Sequence, residues 1–425
     1  MKHSFESYGL YAISALVTYC VRIKVQMKDV VDMECLRKAV NIATRRFPYF
    51  MVKLSIDEDG GYTFEPNTND IAVLKTSSKN PAFGTKAVGC HFLYVDCEGK
   101  NIYFNISHAL AGGKGIDPWF MACIYQYVVE KYGVHPNAPA ILKPESPLLP
   151  GETDEPTIEM TDGSLPYPIE RFKNRKSLLK DYLKSIFNPF VRSNEYFEIE
   201  FNQKDIMRLA KGNDSSVLSL FCIFMFKTML KVFPNENQFV GESIHNPASD
   251  LGIPHSYKNV LSQVLLNYKK SMKDWDMEKL GTVTRGSLLL QIDPLFSRNF
   301  IRREIQFYEE IDKISGLKGK KKYAKKYSSI SGSDSFHGTY SISYSGYHDW
   351  GEIADYVDSF YVIVDGHQML EISAIKDKIF CSFMQVIRTD KYINAFKKVL
   401  EENGIPYKIQ GPFKKNLVKH QIACK

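Results

Sequence analysis

The sequence lacks the features that define several protein classes. None of its eight cysteines forms a CxxC pair, the spacing that zinc and redox sites favour. The apolar segment nearest the N-terminus, residues 9–21, is shorter than the ~20 residues that cross a bilayer, and no strongly basic stretch precedes it. We therefore expect no metal site, buried and reduced cysteines, no transmembrane or targeting segment, and a cytoplasmic location.

The composition is that of an ordinary globular protein with more than one domain. Of the 425 residues, 44% are hydrophobic and 24% are charged, enough apolar surface to offset the conformational entropy lost on folding. Eight of the 19 prolines lie in residues 136–168, which predicts an exposed connector because proline neither extends a helix nor donates into a central strand. We predict an N-terminal subdomain at residues 1–135, a connector at 136–194 and a C-terminal subdomain at 195–425.

Hydrophobic periodicity predicts strands and helices in both subdomains. Alternating or β-branched runs predict strands at residues 8–26, 51–57, 61–65, 89–96, 101–107, 195–201, 239–244, 261–266, 338–344, 360–364, 369–374 and 378–386. Apolar residues at helical spacing predict helices at residues 33–46, 118–131, 203–210, 215–232, 275–290, 294–314 and 389–403. Asp32 is expected to cap the first of these helices and Pro118 to begin the second.

A run of lysines lies between residues 318 and 326. We interpret it as a solvated surface loop; the alternative is a patch that attracts an anion such as a nucleotide phosphate or a carrier protein. In that alternative, the residues that bind the donor phosphate or the carrier are Lys320, Lys321 and Lys322. No basic helix or aromatic-interleaved motif accompanies the lysines, so nucleic acid is not expected as a partner.

The segment with a chemical signature is Tyr103–Ile116, which reads YFNISHALAGGKGI. A predicted strand leads to His108, and a glycine-rich loop then precedes a helix, so His108 is expected at a strand end beside a cleft. The segment fails as a phosphate-binding P-loop, because His108 and Gly115 stand where the first glycine and the serine or threonine belong. No G-x-S-x-G or H-E-x-x-H occurs in the chain, which disfavours serine-hydrolase and metal-dependent chemistry.

The same loop resembles the H-H-x-x-x-D-G signature of the chloramphenicol-acetyltransferase-like superfamily. This superfamily includes nonribosomal peptide condensation domains, alcohol acetyltransferases and polyketide-associated acyltransferases. His108 takes the place of the catalytic second histidine and Gly113 that of the glycine, whereas Ser107 and Gly112 replace the first histidine and the aspartate. Further segments follow the family's order along the chain, at residues 31–39, 45–50, 215–230 and 341–356.

The resemblance implies an α/β fold of two chloramphenicol-acetyltransferase-like subdomains that form a pseudo-dimer with an active-site tunnel between them. It implies an acyltransferase in which His108, as general base, helps an alcohol or amine attack the thioester of acyl-CoA or an acyl-carrier protein. The N–H of Gly113 and a hydroxyl of Ser343 or Ser345 then stabilise the oxyanion. The thioester is a co-substrate, no cofactor is bound, and the partners of a monomeric chain are this donor and a small-molecule acceptor.

Gly112 departs from the family pattern, in which the motif aspartate pairs with an arginine and holds the catalytic loop. Residues 244–250, near the expected place of that arginine, contain none, so both members of the ion pair are absent together. Asp117 is a candidate substitute, although a helix cap is the favoured interpretation. The alternatives are a loop held by packing, and a decayed site in a binding module that recruits a carrier protein or another partner.

Overall fold

The computed structural model describes residues 1, 3–13, 18–164, 181, 183–185, 187–188, 190–331, 339–365 and 368–421. Within these ranges the chain forms a five-stranded sheet, a seven-stranded sheet and a two-stranded hairpin, with helices packed against them. The strands are β1 (Cys20–Met27), β2 (Val52–Ile56), β3 (Tyr62–Pro66), β4 (Val73–Lys75), β5 (Leu93–Glu98), β6 (Asn101–Ser107), β7 (Glu195–Asn202), β8 (Gln238–His245), β9 (Ser262–Lys269), β10 (Tyr340–Tyr347), β11 (Val357–Val364), β12 (Met369–Ile375), β13 (Lys378–Met384) and β14 (Lys408–Lys414). The α-helices are α1 (Met33–Thr44), α2 (Gly113–Tyr132), α3 (Gln203–Gly212), α4 (Val217–Val232), α5 (Met277–Gln291), α6 (Pro294–Asp312), α7 (Leu317–Ser331) and α8 (Lys391–Glu402).

The five-stranded sheet has the order β11-β1-β6-β5-β4 and contains the strand that leads to His108. β6 is antiparallel to both β1 and β5, so it lies inside the sheet. β11 pairs antiparallel with β1, with Val364 opposite Val21. The sheet therefore takes a strand from the predicted C-terminal subdomain, while residues 165–180 of the predicted connector lie outside the described ranges. The division at residues 136–194 stays a prediction.

The seven-stranded sheet has the order β14-β7-β13-β12-β10-β8-β9. It is mixed, because β10 is parallel to β8 and β12 whereas the other pairs are antiparallel. A buried ion pair joins the two large sheets: Nζ of Lys24 in β1 donates to both carboxylate oxygens of Glu198 in β7, at 2.7 and 2.9 Å. The two sheets are thus fixed to each other by charge as well as by packing.

Most of the predicted strands and helices are confirmed within a few residues. The prediction that Asp32 caps α1 is also confirmed, since its Oδ1 accepts from the N–H groups of Glu34 and Cys35 at 2.9 and 3.0 Å. The sequence pattern does not predict the edge strands β4 and β14. β4 has only three residues, and Gly411 and Pro412 interrupt the alternation of β14.

The prediction of one strand over residues 8–26 is wrong in its first half. A 3-10 helix occupies Phe5–Ala12, and the strand begins at Cys20. Tyr8 and Tyr11 mimic strand alternation, but they lie on this 3-10 helix. The ring of Tyr8 stacks on Tyr308 of α6, with 4.4 Å between the ring centroids.

The prediction of a lysine loop is also wrong, because residues 318–326 lie within α7. Lys320 and Ala324, one helical turn apart, are both buried and give the helix an inward face. Lys320 is 0% exposed, and its Nζ donates to the carbonyl oxygen of Ile311 at 2.9 Å. Because its ammonium is hydrogen-bonded, this lysine can pack its aliphatic chain in the core. The charge of the residue alone does not predict this.

The helix predicted from Pro118 begins earlier, at Gly113, with Gly112 as its N-cap residue. Asp117 therefore lies inside α2, and the prediction that it caps the helix is wrong. The predicted strand at 338–344 corresponds to β10, which begins at Tyr340; residue 338 lies outside the described ranges.

The cysteines divide into two groups. Cys90 is disulfide-bonded, which corrects the expectation that every cysteine is reduced. Free thiols are found at Cys20, Cys35, Cys97, Cys123, Cys222 and Cys381. Within the described ranges no single helix is long and apolar enough to span a membrane; α3 and α4, bent by 83° at their junction, meet the criteria of length and composition only as a pair.

Candidate active site around His108

His108 lies in the turn that follows β6, where two backbone contacts hold it. Its backbone N–H donates to the carbonyl of Tyr19 at 2.8 Å, and its ring Nδ1 donates to the carbonyl of Ala111 at 3.0 Å. Because a carbonyl oxygen only accepts, Nδ1 carries the ring proton and Nε2 presents its lone pair. In the part of the chain that the structure describes, no residue hydrogen-bonds to Nε2.

The imidazole of His108 is in the protonation state that a general base needs. Burial lowers its pKa below the ordinary 6.5, although the hydrogen bond to the backbone of Ala111 acts in the opposite direction. The ring is therefore neutral at neutral pH and can accept a proton at Nε2. The ring of Tyr19 lies beside it, with 5.7 Å between the centroids.

Ser107, which stands where the family has its first histidine, is supported by a histidine from the other end of the chain. Its Oγ lies 2.6 Å from Nε2 of His420 and accepts from the N–H of Ala109 at 3.1 Å. His420 packs against the rings of Phe83 and Phe92, with centroids 5.0 and 5.5 Å away. An imidazole thus supports this position of the loop, although no local pattern in the sequence points to His420.

Gly112, which stands where the family has its aspartate, is covered by residues 257–259, which we name the bracing segment. A Cβ atom at Gly112 would lie 2.9 Å from Oδ1 and 3.1 Å from Cα of Asn259. At Gly115, a Cβ atom would lie 2.2 Å from a backbone oxygen of the same segment. Nδ2 of Asn259 donates a long hydrogen bond, 3.5 Å, to the carbonyl of His108. The loop after β6 is therefore held by close packing of the bracing segment against two glycines.

Buried charges and an aromatic stack anchor the bracing segment. Nζ of Lys258, which is 4% exposed, donates to Glu6 Oε2 at 3.0 Å and to Glu155 Oε1 at 2.7 Å. The ring of Tyr257 stacks on that of Tyr49, with 4.1 Å between centroids and 3° between planes. Burial alone would lower the pKa of Lys258, but the charge of Glu6 raises it above its ordinary value, so the ammonium stays charged.

The two serines predicted to stabilise an oxyanion have hydrogen-bond partners of their own, and the role of Gly113, Ser343 and Ser345 stays a prediction. Gly113 is the exposed first residue of α2, with open space where a side chain would stand. Ser343 hydrogen-bonds to a buried carboxyl on β12. The Oγ of Ser345 lies 2.9 Å from Nε2 of His348. The N-terminus of α2 is thus available beside the loop, while both hydroxyls contact other groups.

The three lysines predicted to bind the donor point in different directions. The ammonium of Lys320 is buried on the carbonyl of Ile311, as described above. Lys321 places its Nζ 5.8 Å from the centre of the Tyr62 ring, and burial lowers its pKa. Lys322 is exposed. Over the described ranges, no three His, Cys, Asp or Glu side chains are grouped to hold a metal ion.

Partly buried carboxyl and imidazole groups should make the stability of the fold depend on pH. Burial raises the pKa of Asp117 and that of Glu304 to about 8, and it lowers the pKa of His348 and that of His420 to about 4. A carboxyl with a raised folded-state pKa contributes stability that is lost as the pH rises toward that pKa. The histidines act in the opposite direction, but only below about pH 6.5, where the unfolded chain takes up their protons.

We expect the protein to be less stable at pH 8.5 than at pH 6.5, by up to about 1.4 kcal/mol per pH unit for each of these two carboxyls until the pH reaches about 8. Thermal unfolding followed by circular dichroism at both pH values measures the difference. The double variant Asp117→Asn, Glu304→Gln should reduce it, whereas Asp274→Asn, at an exposed carboxylate, should not. An equal pH dependence in wild type and double variant would show that these two groups do not cause it.

Comparison with known proteins identifies the fold. No family model and no curated protein sequence matches the chain. The structure of polyketide synthase associated protein 5 from Mycobacterium tuberculosis superposes with a TM-score of 0.56 at 11% identity, over 94% of this chain and 96% of that one. TRI101 of Fusarium sporotrichioides, in complex with coenzyme A and T-2, gives 0.57 at 12% identity, over 95% and 98%. The epimerization domain from the third module of tyrocidine synthetase B gives 0.53 at 11% identity, over 93% of each chain.

These similarities run over nearly the whole of each chain, and at such low identity they show the fold. The protein has the mixed α/β, two-subdomain fold of the chloramphenicol-acetyltransferase-like superfamily. The fold class predicted from the sequence is thereby confirmed. The role of His108 and of the other motif residues stays a prediction.

Proposed function

We propose that the protein is an acyltransferase that moves an acyl group from acyl-CoA, or from an acyl-carrier thioester, to an alcohol or an amine. The observation that carries this proposal is the state of His108. Its ring is oriented by the carbonyl of Ala111 through Nδ1, is neutral because of burial, and has no partner for Nε2 among the described residues. An imidazole with Nδ1 fixed by a carbonyl and a lone pair left on Nε2 can accept a proton from a substrate.

In the proposed reaction, Nε2 of His108 removes the proton of the acceptor hydroxyl or amine as its oxygen or nitrogen attacks the thioester carbonyl. The oxyanion that forms is stabilised by N–H groups at the N-terminus of α2. Gly113 and Lys114 supply these, since the first-turn N–H groups of a helix have no partner within the helix. The intermediate then expels the thiolate, which takes the proton from Nε2. No bond forms between the acyl group and His108.

The choice of donor is supported by the comparisons and by one surface. TRI101 binds coenzyme A in its complex, which favours acyl-CoA, while the likeness to the tyrocidine synthetase domain keeps a carrier-bound thioester as the alternative. Of the three lysines predicted to contact the donor, Lys322 is exposed and free to meet a phosphate, whereas Lys320 is buried. The cytoplasm stays the predicted location.

The proposal is tested by measuring free thiol released from acetyl-CoA in the presence of a panel of alcohols and amines. We expect His108→Ala to lower the acceptor-dependent rate by about 10²–10⁴-fold, the usual contribution of a positioned general base. His255→Ala, at an exposed histidine, is the matched control and should keep the wild-type rate. The wild-type rate should fall on the acid side with a midpoint below pH 6.5, as the lowered pKa of His108 requires.

Equal background rates in wild type and His108→Ala would contradict the acyltransferase proposal. That result would favour the alternative, a binding module of the same fold that recruits a carrier protein.

A further inference from the structure

A second serine–histidine pair lies outside the His108 loop, at the end of β10. Oγ of Ser345 is 2.9 Å from Nε2 of His348 and 3.2 Å from the carbonyl oxygen of Ile372. The hydroxyl proton therefore has two acceptors within reach, one of them an imidazole. When Nε2 accepts, the other ring nitrogen carries the proton, which is the tautomer of a histidine that acts as a base toward serine.

The surroundings of His348 hold its ring in place. His348 is 6% exposed, and its backbone N–H donates to the carbonyl of Ala374 at 2.8 Å. The rings of Phe120 and Phe360 pack against it, with centroids 6.5 and 5.2 Å away. On its Nδ1 side lies the carboxyl of Asp117, with Oδ2 at 3.8 Å. A serine, a histidine and an aspartate thus follow one another in the order of a nucleophilic triad, with the carboxyl beyond hydrogen-bond distance of the imidazole.

A bulge in β10 presents the serine to solvent. Tyr344 pairs with Ile372 of β12 and Tyr347 pairs with Ala374, so the two residues between them have no partner in the parallel ladder. Gly346 has a φ of +89°, and open space surrounds the position of its absent side chain. The bulge leaves Ser345 exposed.

Ser345 differs in solvent exposure from Ser107, the serine of the His108 loop that also contacts a histidine. The Oγ of Ser107 is also close to an imidazole, at 2.6 Å from His420, but Ser107 is 0% exposed and cannot meet a substrate. Ser345 is exposed to solvent. A cleft of about 290 Å³ with mostly apolar walls lies on the Nδ1 side of His348, and it is lined by Asp117 but not by Ser345 or His348.

We propose that Ser345 is the nucleophile of a second acyl-transfer centre, activated by His348, which hydrolyses small carboxylic esters through an acyl-serine. Nε2 of His348 takes the proton of Oγ as Oγ bonds to the ester carbonyl carbon. The bond to the leaving alkoxide then breaks, and the alkoxide takes the proton from Nε2. Water attacks the acyl-serine and gives its proton to Nε2. The acyl–Oγ bond breaks, and Oγ recovers the proton as the carboxylic acid leaves.

Asp117 acts through His348 as a positioning residue. The titratable groups that face it are His348 itself, Glu371 on β12, and Lys114, which lines the same cleft. Burial, with a further contribution from the charge of Glu371, raises the pKa of Asp117 to about 8. Its carboxylate, which stabilises a protonated His348, therefore forms mainly above this pH. The reactivity of Ser345 should rise with pH through about 8, and Asp117→Asn should remove that rise.

The test is covalent labelling of the full chain with diisopropyl fluorophosphate, with the labelled residue located by peptide mass spectrometry. We expect one label per chain, on Ser345, and none there in Ser345→Ala. His348→Gln should label more slowly by about 10²-fold or more, as expected for the loss of the base. Ser341→Ala, at a serine earlier in the same strand, is the matched control and should label at the wild-type rate.

Hydrolysis of p-nitrophenyl acetate by the same variants gives a second measurement, and melting temperatures show that each variant is folded. Because Ser345 is exposed, Ser345→Ala should fold even where His348→Gln does not. Absence of label from Ser345, or equal hydrolysis by wild type and Ser345→Ala, would overturn the proposal and leave the contact as a structural hydrogen bond. Both measurements are independent of thiol release from acyl-CoA.

Discussion

Replacing Lys258 with methionine should lower the free energy of unfolding by about 3–5 kcal/mol, the usual cost of removing one partner from a buried ion pair. Burial already raises the pKa of Glu6 to about 7, so without Lys258 this carboxyl must keep a buried charge or take up a proton. Glu6 is 4% exposed and receives Nζ of Lys258 at 3.0 Å. The second carboxylate, Glu155, receives the same ammonium at 2.7 Å. Methionine has a similar volume but no charge, so the cost comes from electrostatics more than from a cavity.

Urea unfolding followed by circular dichroism measures this loss. Lys398→Met, at an exposed lysine of α8, is the matched control and should change stability by less than about 0.5 kcal/mol. Adding Glu6→Gln to Lys258→Met should recover part of the loss, since it removes the uncompensated charge. If Lys258→Met and the control unfold at the same urea concentration, the ion pair does not hold the bracing segment.

An aspartate at position 112 matches the family motif, yet Gly112→Asp should damage this protein. The new Cβ atom would lie 2.9 Å from Oδ1 and 3.1 Å from Cα of Asn259, so the bracing segment must move. Overpacking of this kind costs about 1–3 kcal/mol of stability, and a carboxylate beside the amide oxygen adds repulsion. Because Asn259 also contacts the carbonyl of His108, displacement of the loop should slow acyl transfer by about 10²-fold.

Thiol release and thermal unfolding of Gly112→Asp test both effects. Gly212→Asp serves as the matched control for stability, because open space surrounds that glycine. Combining Gly112→Asp with Asn259→Ala should restore part of the stability, since it removes Oδ1 but leaves the close Cα atom. An acyl-transfer rate in Gly112→Asp equal to or above that of wild type would show that the loop tolerates the family's residue.

The elements that the sequence predicts correctly are those with strong local signals. α1 has a cap at Asp32 and apolar residues on one face, and the hairpin of β5 and β6 has a glycine turn at Gly99. The lysine helix α7 is predicted wrongly because its inward face contains Lys320, whose ammonium bonds to a carbonyl. The charge of a lysine suggests that its side chain is exposed to solvent. Only the contact with the carbonyl of Ile311 shows that Lys320 is buried.

The candidate site divides in the same way. A strand, a histidine and a glycine loop indicate where His108 lies, and the motif residues are adjacent in the sequence. The groups that support the loop are not: His420 is 313 residues from Ser107, and Glu6 is 252 residues from Lys258. Contacts over such separations leave no periodic trace, so sequence reasoning misses Asn259, Lys258 and His420.

By itself, the sequence determined most of the strands and helices, the resemblance to a known motif and the position of His108 at a strand end. These depend on periodicity, capping and a short motif, which act between neighbours along the chain. Only the tertiary structure decided that β11 crosses into the first sheet, that glycine at 112 makes room for Asn259, and that Ser345 meets His348 at a bulge. Each of these depends on which surfaces meet when the chain closes on itself, because hydrogen bonds and packing are set by distance in space rather than by spacing along the chain.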